Sequence, residues 1–276
     1  MGDDGTQPRG EIRRLLDDHG HRPTKTYGQN FLADPNIVRK LIDAADLTAE
    51  SQVVEIGAGT GTMTALMAER ARRVVAYEVD GSLAPILTET LGHFANVDLR
   101  FEDASKIDLG EALDGGEWTM VSNLPYNVGT GIVLDALRQA TAVKRIVVMV
   151  QREVADRMFA DAGTKTYGLP SVTAGLHATG TVAFGVPRQV FEPVPRVDSA
   201  VIVLNRVEAP RLAPRAIELA AAGFGQRRKM LRRSLDRALR EPERILDEAG
   251  IDPTTRPEQL TPTDFVRIAE AEERLS

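Results

Sequence analysis

From residue 35 onward the chain reads as two alternating periods. Over residues 35–45, Ile37, Val38, Leu41 and Ile42 recur at helical spacing and make one apolar stripe. Asp34 stands where an N-cap belongs, with Pro35 at the first helical position. Short β-rich runs follow at residues 52–56, 73–79, 97–101, 119–122 and 145–150. Helical stretches at 62–70, 82–91 and 130–139 fall between them. Strand–helix alternation of this kind predicts a parallel sheet covered by helices on both faces. Beyond Thr179 the pattern changes. Residues 182–186 and 200–204 are two runs with no long helix between them, which predicts an antiparallel pair at one edge of the sheet. Pro210 and Pro214 read as a linker, and the rest as short helices broken by Pro242, Pro253, Pro257 and Pro262. Residues 1–25 mix both charges with Gly and Pro and read as a mobile or loosely packed extension. The expected division is therefore an N-terminal extension at 1–25, an α/β domain at 26–206 and a small helical domain at 207–276.

Composition narrows the function more by exclusion than by suggestion. Apolar residues make up 42% and charged residues 27%, ordinary for a globular protein. There is no cysteine, so disulfides and thiolate metal sites are excluded. The four histidines, His19, His21, His93 and His177, show no metal-ligand spacing, and no metal is expected. No apolar run approaches the roughly 20 residues of a membrane helix. The first ten residues lack the apolar core of a signal peptide, so a cytoplasmic monomer is expected. A formal net charge of −6 argues weakly against a nucleic-acid partner, but a binding surface depends on how charge is distributed.

Candidate chemistry begins where the first strand of the sheet opens into a helix. Glu55-Ile56-Gly57-Ala58-Gly59-Thr60-Gly61 lets the backbone turn tightly and approach a ligand closely. A dinucleotide fingerprint needs its third glycine at position 62, which is Thr62. The G-x-G-x-G spacing behind Glu55 instead fits an S-adenosylmethionine site, a ligand with no pyrophosphate to cradle. Glu78, near the end of the second strand, is placed to accept hydrogen bonds from ribose hydroxyls. Asp103, ending the third, is placed to bind an adenine amino group.

Ser122-Asn123-Leu124-Pro125-Tyr126 follows the fourth strand, at the same edge as the glycine loop. The N6 lone pair of adenine is delocalised into the ring. Two carbonyl acceptors, the Asn123 side chain and the Leu124 backbone, would hold the amine in line and favour the charge developing on it. Pro125 stiffens the loop, and Tyr126 offers a face for an extruded base.

At these motifs the chain resembles the KsgA (RsmA) ribosomal RNA adenine dimethyltransferases, which share their catalytic domain with the Erm methylases. Tyr27-Gly28-Gln29-Asn30-Phe31-Leu32 resembles the family's L-G-Q-N-F-L, with Tyr27 the one departure. Phe191-Glu192-Pro193-Val194-Pro195-Arg196-Val197-Asp198-Ser199 resembles its F-x-P-x-P-x-V-x-S. The resemblance implies a Rossmann-like S-adenosylmethionine methyltransferase fold with a helical C-terminal domain. It implies cofactor contacts from Asn30, Leu32, Gly57, Glu78, Asp103 and Asn123; Gln29, Glu55, Gly59 and Gly61, in the same motifs, are further candidate cofactor residues. It places Phe191 on the target adenine opposite Tyr126. It also implies the substrate: two adjacent adenosines in the 3′-terminal hairpin loop of 16S rRNA, within a small-subunit precursor.

Residues 223–240 are strongly basic, with Arg227, Arg228, Lys229, Arg232 and Arg233 at their centre. Phe224, Leu231, Leu235, Ala238 and Leu239 fall on one helical face, which predicts a single amphipathic helix laying arginines along phosphates. An Erm-type enzyme of large-subunit rRNA and a non-catalytic assembly or transcription factor of the same fold are the competing readings. A dehydrogenase is disfavoured by Thr62.

Overall fold

The computed structural model describes residues 6–24 and 27–276. Residues 1–5 and 25 of the expected extension lie outside the described residues. What is described of that extension is not loose. Helix α1 (Arg9–Asp18) buries Ile12, Leu15 and Leu16, spaced i, i+3, i+4, in one core cluster with Phe31, Ala58, Ala65 and Leu87. Three apolar residues in a helix otherwise dominated by charge carry too weak a periodic signal to read from sequence. They are nevertheless enough to dock it. The segment is also tied by side chains: Gln7 donates to the Thr60 carbonyl at 3.0 Å, and Arg9 and Arg13 both reach Glu192.

Strand β1 (Phe31–Leu32) leads into α2 (Pro35–Asp43), where the Asp34 side chain accepts from the Asn36 and Ile37 amides as an N-cap should. The sheet then builds through β2 (Gln52–Ile56), α3 (Thr62–Ala68), β3 (Arg73–Tyr77), α4 (Ala84–Leu91) and β4 (Val97–Arg100). The short α5 (Leu109–Ala112) precedes β5 (Trp118–Asn123), α6 (Gly129–Gln139) and β6 (Val143–Gln151). After α7 (Arg152–Met158) and α8 (Leu169–His177) come β7 (Ala178–Val186), the two-residue β8 (Phe191–Glu192) and β9 (Ser199–Arg206). Seven strands form one sheet in the order β4-β3-β2-β5-β6-β9-β7, and β1 pairs separately with β8. From β4 to β6 neighbours are parallel; β9 runs antiparallel to β6, giving the expected antiparallel edge. Val53, Val54, Val74, Val75, Val147 and Val148 are all buried, as a parallel sheet covered on both faces requires.

The chain folds into two compact units. One holds the sheet, through Ala155 and again over Gly180–Asn205; the other holds Asp156–Thr179 and Arg206–Ser276. The second unit thus takes in residues 156–179, which a linear boundary at 206 would leave with the sheet. Its core joins Tyr167, Val172 and Leu176 to Leu219, Leu231, Leu246 and Phe265. Only tertiary packing can show that α8 buries its apolar residues there.

In the second unit α9 (Ala213–Gly225), α10 (Leu231–Ser234), α11 (Pro242–Glu248) and α12 (Pro262–Leu275) succeed one another. Pro214, Pro242 and Pro262 sit in the first turns of α9, α11 and α12 and open helices, where sequence suggested a linker or breaks. The single basic helix is also corrected. The chain leaves α9 at Gln226, turns, and restarts at Leu231. Gly223 and Gly225 weaken the helix end. The amides of Leu231 and Arg232 donate to the carbonyls of Thr255 (2.8 Å) and Pro253 (3.1 Å), not to the preceding turn of α9. The burial pattern survives the break: Leu231, Leu235 and Leu239 face the core, while Arg228, Lys229, Arg233, Arg237 and Arg240 are exposed.

Candidate active site

The strand order reverses between β2 and β5, and an open cleft with about 950 Å³ of empty space lies at their carboxyl ends. The two strands pair only as far as Val54–Met120. Beyond that point the Ile56 amide donates to the Ser122 hydroxyl at 2.8 Å, and the strands part. Ser122 therefore sets the gap between the glycine loop and the Asn123–Tyr126 loop.

In the glycine loop the amides of Gly57 and Ala58 both donate to the Tyr77 carbonyl. Gly59 and Gly61 have φ of +59° and +83°. A Cβ at Gly59 would lie 3.2 Å from the Phe31 ring, and one at Gly61 3.0 Å from Thr90. Glu78 is buried in the cleft wall and accepts from the Gly59 and Asp80 amides, each at 2.9 Å. Burial pushes its carboxyl above the ordinary range against those bonds. Glu55 is buried more completely: the Thr64 hydroxyl donates to it at 2.5 Å. Burial, reinforced by the charge of Glu78, pushes its carboxyl up to about 8. At neutral pH Glu55 is thus mostly a protonated wall group. Asp103 is partly exposed and accepts from the Ser105 amide and hydroxyl, with Lys106 at 2.9 Å; these hold its carboxyl below the usual range.

The 29–32 motif lines the same cleft. The Gln29 amide nitrogen donates to Asp80 at 2.7 Å, and its oxygen accepts from the Thr24 amide at 2.8 Å. Gln29 thereby anchors its own segment to the Glu78–Asp80 turn. Leu32 is buried and pairs with Phe191 across β1 and β8. Asn30 contributes its backbone: the Asn123 Nδ2 donates to the Asn30 carbonyl at 3.0 Å. With the amide nitrogen so committed, the Asn123 Oδ1 is the atom left to accept from a ligand.

Tyr126 is half-buried, and its hydroxyl lies 2.6 Å from the Ser199 hydroxyl. Burial raises the phenol's pKa. Phe191 meets it edge-on, with centroids 6.5 Å apart and planes at 73°. The two aromatics thus touch each other directly, where the resemblance set the target adenine between them, and Phe191 is wholly buried in the core and is not part of the cleft wall. The cleft also recruits Val79, Ala104 and Ile132, none of which sequence reading singled out. Val79 carried a usable signal: a large apolar residue directly after a candidate ribose acid. His21, given no role from sequence, packs beside the same turn, its Nδ1 3.0 Å from the Ser82 hydroxyl.

These residues fit S-adenosylmethionine. A loop that excludes side chains lies beside a buried acceptor carboxylate following β3, and an acid after β4 lines the same cleft. No group of three or more acidic or histidine side chains that could hold a metal occurs among the described residues, and no described helix is long and apolar enough to cross a membrane. Of the basic residues in the second unit, Arg227 is 3.7 Å from Glu258 and Arg232 is 3.3 Å from Glu243; Arg228, Lys229 and Arg233 project to solvent.

The family profile described as ribosomal RNA adenine dimethylase matches residues 20–273. A ribosomal RNA small subunit methyltransferase A from Kineococcus radiotolerans is 42% identical over 267 residues, covering 94% of this chain and 89% of its own. Its counterpart from Geobacillus kaustophilus is 38% identical over 278 residues, 95% of each chain. Among solved structures, a dimethyladenosine transferase from Plasmodium falciparum superposes with a TM-score of 0.76 at 21% identity, over 88% of this chain and 98% of that one. The 23S rRNA methyltransferase ErmE gives 0.67 at 27% identity, over 88% and 100%.

Proposed function

Because this chain belongs to the ribosomal RNA adenine dimethylase family, we infer that it methylates adenine N6 in small-subunit rRNA, using S-adenosylmethionine held in the cleft at the ends of β2 to β5. The observation that carries the chemistry is the Asn123 amide. Its nitrogen is tied to the Asn30 carbonyl, which leaves the oxygen as the atom to accept from a ligand in the cleft that Asn123 lines. Bound there, the cofactor supplies an electrophilic methyl group. Glu78 holds the ribose hydroxyls, Asp103 the cofactor's amino group, and the glycine loop admits the backbone-close part of the ligand. The Asn123 Oδ1 and the Leu124 carbonyl accept the two N–H bonds of the target amine, holding its lone pair in line and favouring the positive charge that grows on nitrogen. The proton then leaves to water, since an alkylated aminopurine cation is a far stronger acid than the neutral amine. Tyr126 stacks the extruded base, with Phe191 supporting that ring from behind. Two rounds on each of two adjacent adenosines in the 3′-terminal hairpin of 16S rRNA complete the reaction.

The exposed Arg228, Lys229 and Arg233, within a helical C-terminal domain after residue 206, are assigned to RNA phosphates, and the enzyme works as a cytoplasmic monomer on a small-subunit precursor. Relatives near 40% identity over nearly the whole chain favour the small-subunit substrate over the large-subunit one of ErmE. The test is incubation with labelled S-adenosylmethionine and undermodified 30S particles, followed by mapping of the methylated nucleotides. Label at positions of 16S rRNA other than the two adjacent adenosines, or no label, would overturn the assignment.

A further inference from the structure

The antiparallel run of β9 has a consequence at the cleft. The parallel strands β5 and β6 end at the same edge of the sheet, at Asn123, which lines the cleft, and at Gln151. An antiparallel neighbour arrives there with its first residue, and that residue is Ser199, in register with Gln151. Its side chain is almost fully buried, and its hydroxyl meets the Tyr126 hydroxyl at 2.6 Å.

We propose that Ser199 is a positioning residue for methyl transfer: it tethers the Tyr126 hydroxyl and so fixes the plane on which the target base stacks. The inference rests on the reading of Tyr126 as the stacking ring. A tyrosine ring turns about two side-chain bonds, and a stacking platform works only if its plane is set before the base arrives. Tyr126 is held at three points. Pro125 restrains the backbone entering it. Phe191, wholly buried, packs against the ring in a T-shaped contact. Ser199 holds the far end through the phenol oxygen. Either hydroxyl can donate, so the tether needs no charge. The flanking Pro193, Val194, Arg196, Val197 and Asp198 are exposed, and the Arg152 and Arg188 amides donate to the Asp198 carbonyl and carboxylate, so Ser199 enters the sheet from a tied loop.

The test is a double-mutant cycle of Ser199→Ala and Tyr126→Phe, read as the single-turnover methylation rate on 30S particles with cofactor and particles saturating. Tyr126→Phe keeps the ring face and removes only the hydroxyl. Each single variant is expected to lose about tenfold in rate, a loss of about 1.4 kcal/mol. The double variant should be no slower than either single one, because both remove the same bond. Cofactor affinity by calorimetry should stay at the parental value in all three. A purely structural serine would lower melting temperature and cofactor binding while leaving Tyr126→Phe at the parental rate. Parental rates in Tyr126→Phe, or additive losses in the double variant, overturn the tether. Tyr126→Phe is close to isosteric, so it decides the question even where Ser199→Ala folds poorly. Parental activity on the same particles tests the functional reading separately.

Discussion

Replacing Asn123 probes the proposed chemistry most directly. The residue's side chain donates from Nδ2 to the Asn30 carbonyl at 3.0 Å, and the proposed chemistry uses its Oδ1 as the acceptor for the target amine. Asn123→Ala removes both. The folding cost is that of one partly exposed hydrogen bond, about 1 kcal/mol. The rate cost is larger, since one preorganised partner of a developing charge is worth roughly 100- to 1000-fold. Asn123→Asp sharpens the argument. It keeps an acceptor for the amine but replaces the donor that the Asn30 carbonyl requires. A carboxylate oxygen would then face a carbonyl oxygen at hydrogen-bond distance, and the side chain must swing away from the geometry that aims it. Aspartate is therefore expected to lose at least about 100-fold as well, despite a charge that would favour a cationic amine. The assay is a single-turnover time course on undermodified 30S particles, with cofactor affinity measured independently so that a binding loss is not taken for a chemical one. Asn123→Ala within a few-fold of the parent rate under those conditions would refute the orienting role.

The remaining predictions follow from the cleft wall and the basic surface. Glu78→Ala should weaken S-adenosylmethionine about 10- to 100-fold by calorimetric titration, because it removes charge-assisted acceptors and also frees the Gly59 amide; unchanged affinity would remove Glu78 from the site. Glu55 has a folded-state value of about 8 against an ordinary 4.5, so its contribution to stability is complete below about 4.5 and is lost as pH rises to about 8. Chemical denaturation should show the parent losing up to a few kcal/mol more than Glu55→Gln between about pH 5 and pH 8.5, and parallel profiles would mean the carboxyl ionises freely in the fold. Reversing Arg228, Lys229 and Arg233 to Glu should weaken RNA binding and lower the log–log salt slope by about 2 to 3, with cofactor affinity unchanged. If the triple variant binds 30S particles as the parent does, those side chains are only solvated.

The local part of this protein was written in its sequence. Period and capping placed β2, α2 and the parallel strands, because a covered sheet needs apolar runs and a helix end needs an acceptor at its first turn. The glycine loop, Glu78 and the Asn123–Tyr126 loop were legible as motifs at strand ends, and the fold brings them to one cleft because parallel strands share their carboxyl edge. What sequence could not supply was which particular atoms of distant segments meet. The apolar stripe of α1 was hidden among its charges until the glycine-loop region gave it something to cover. The basic stretch looked like one helix because periodicity registers side-chain burial and not backbone continuity; the 253–255 loop captured the amides that a continuous helix would have kept. The prolines looked like breaks because position within a helix, not identity, decides whether proline opens or ends it. Asn123 was named from its motif, but which of its amide atoms is tied within the protein was decided by the Asn30 carbonyl, 93 positions away. Ser199 reaches Tyr126 only because β9 runs against β6, and strand direction is a property of the assembled sheet.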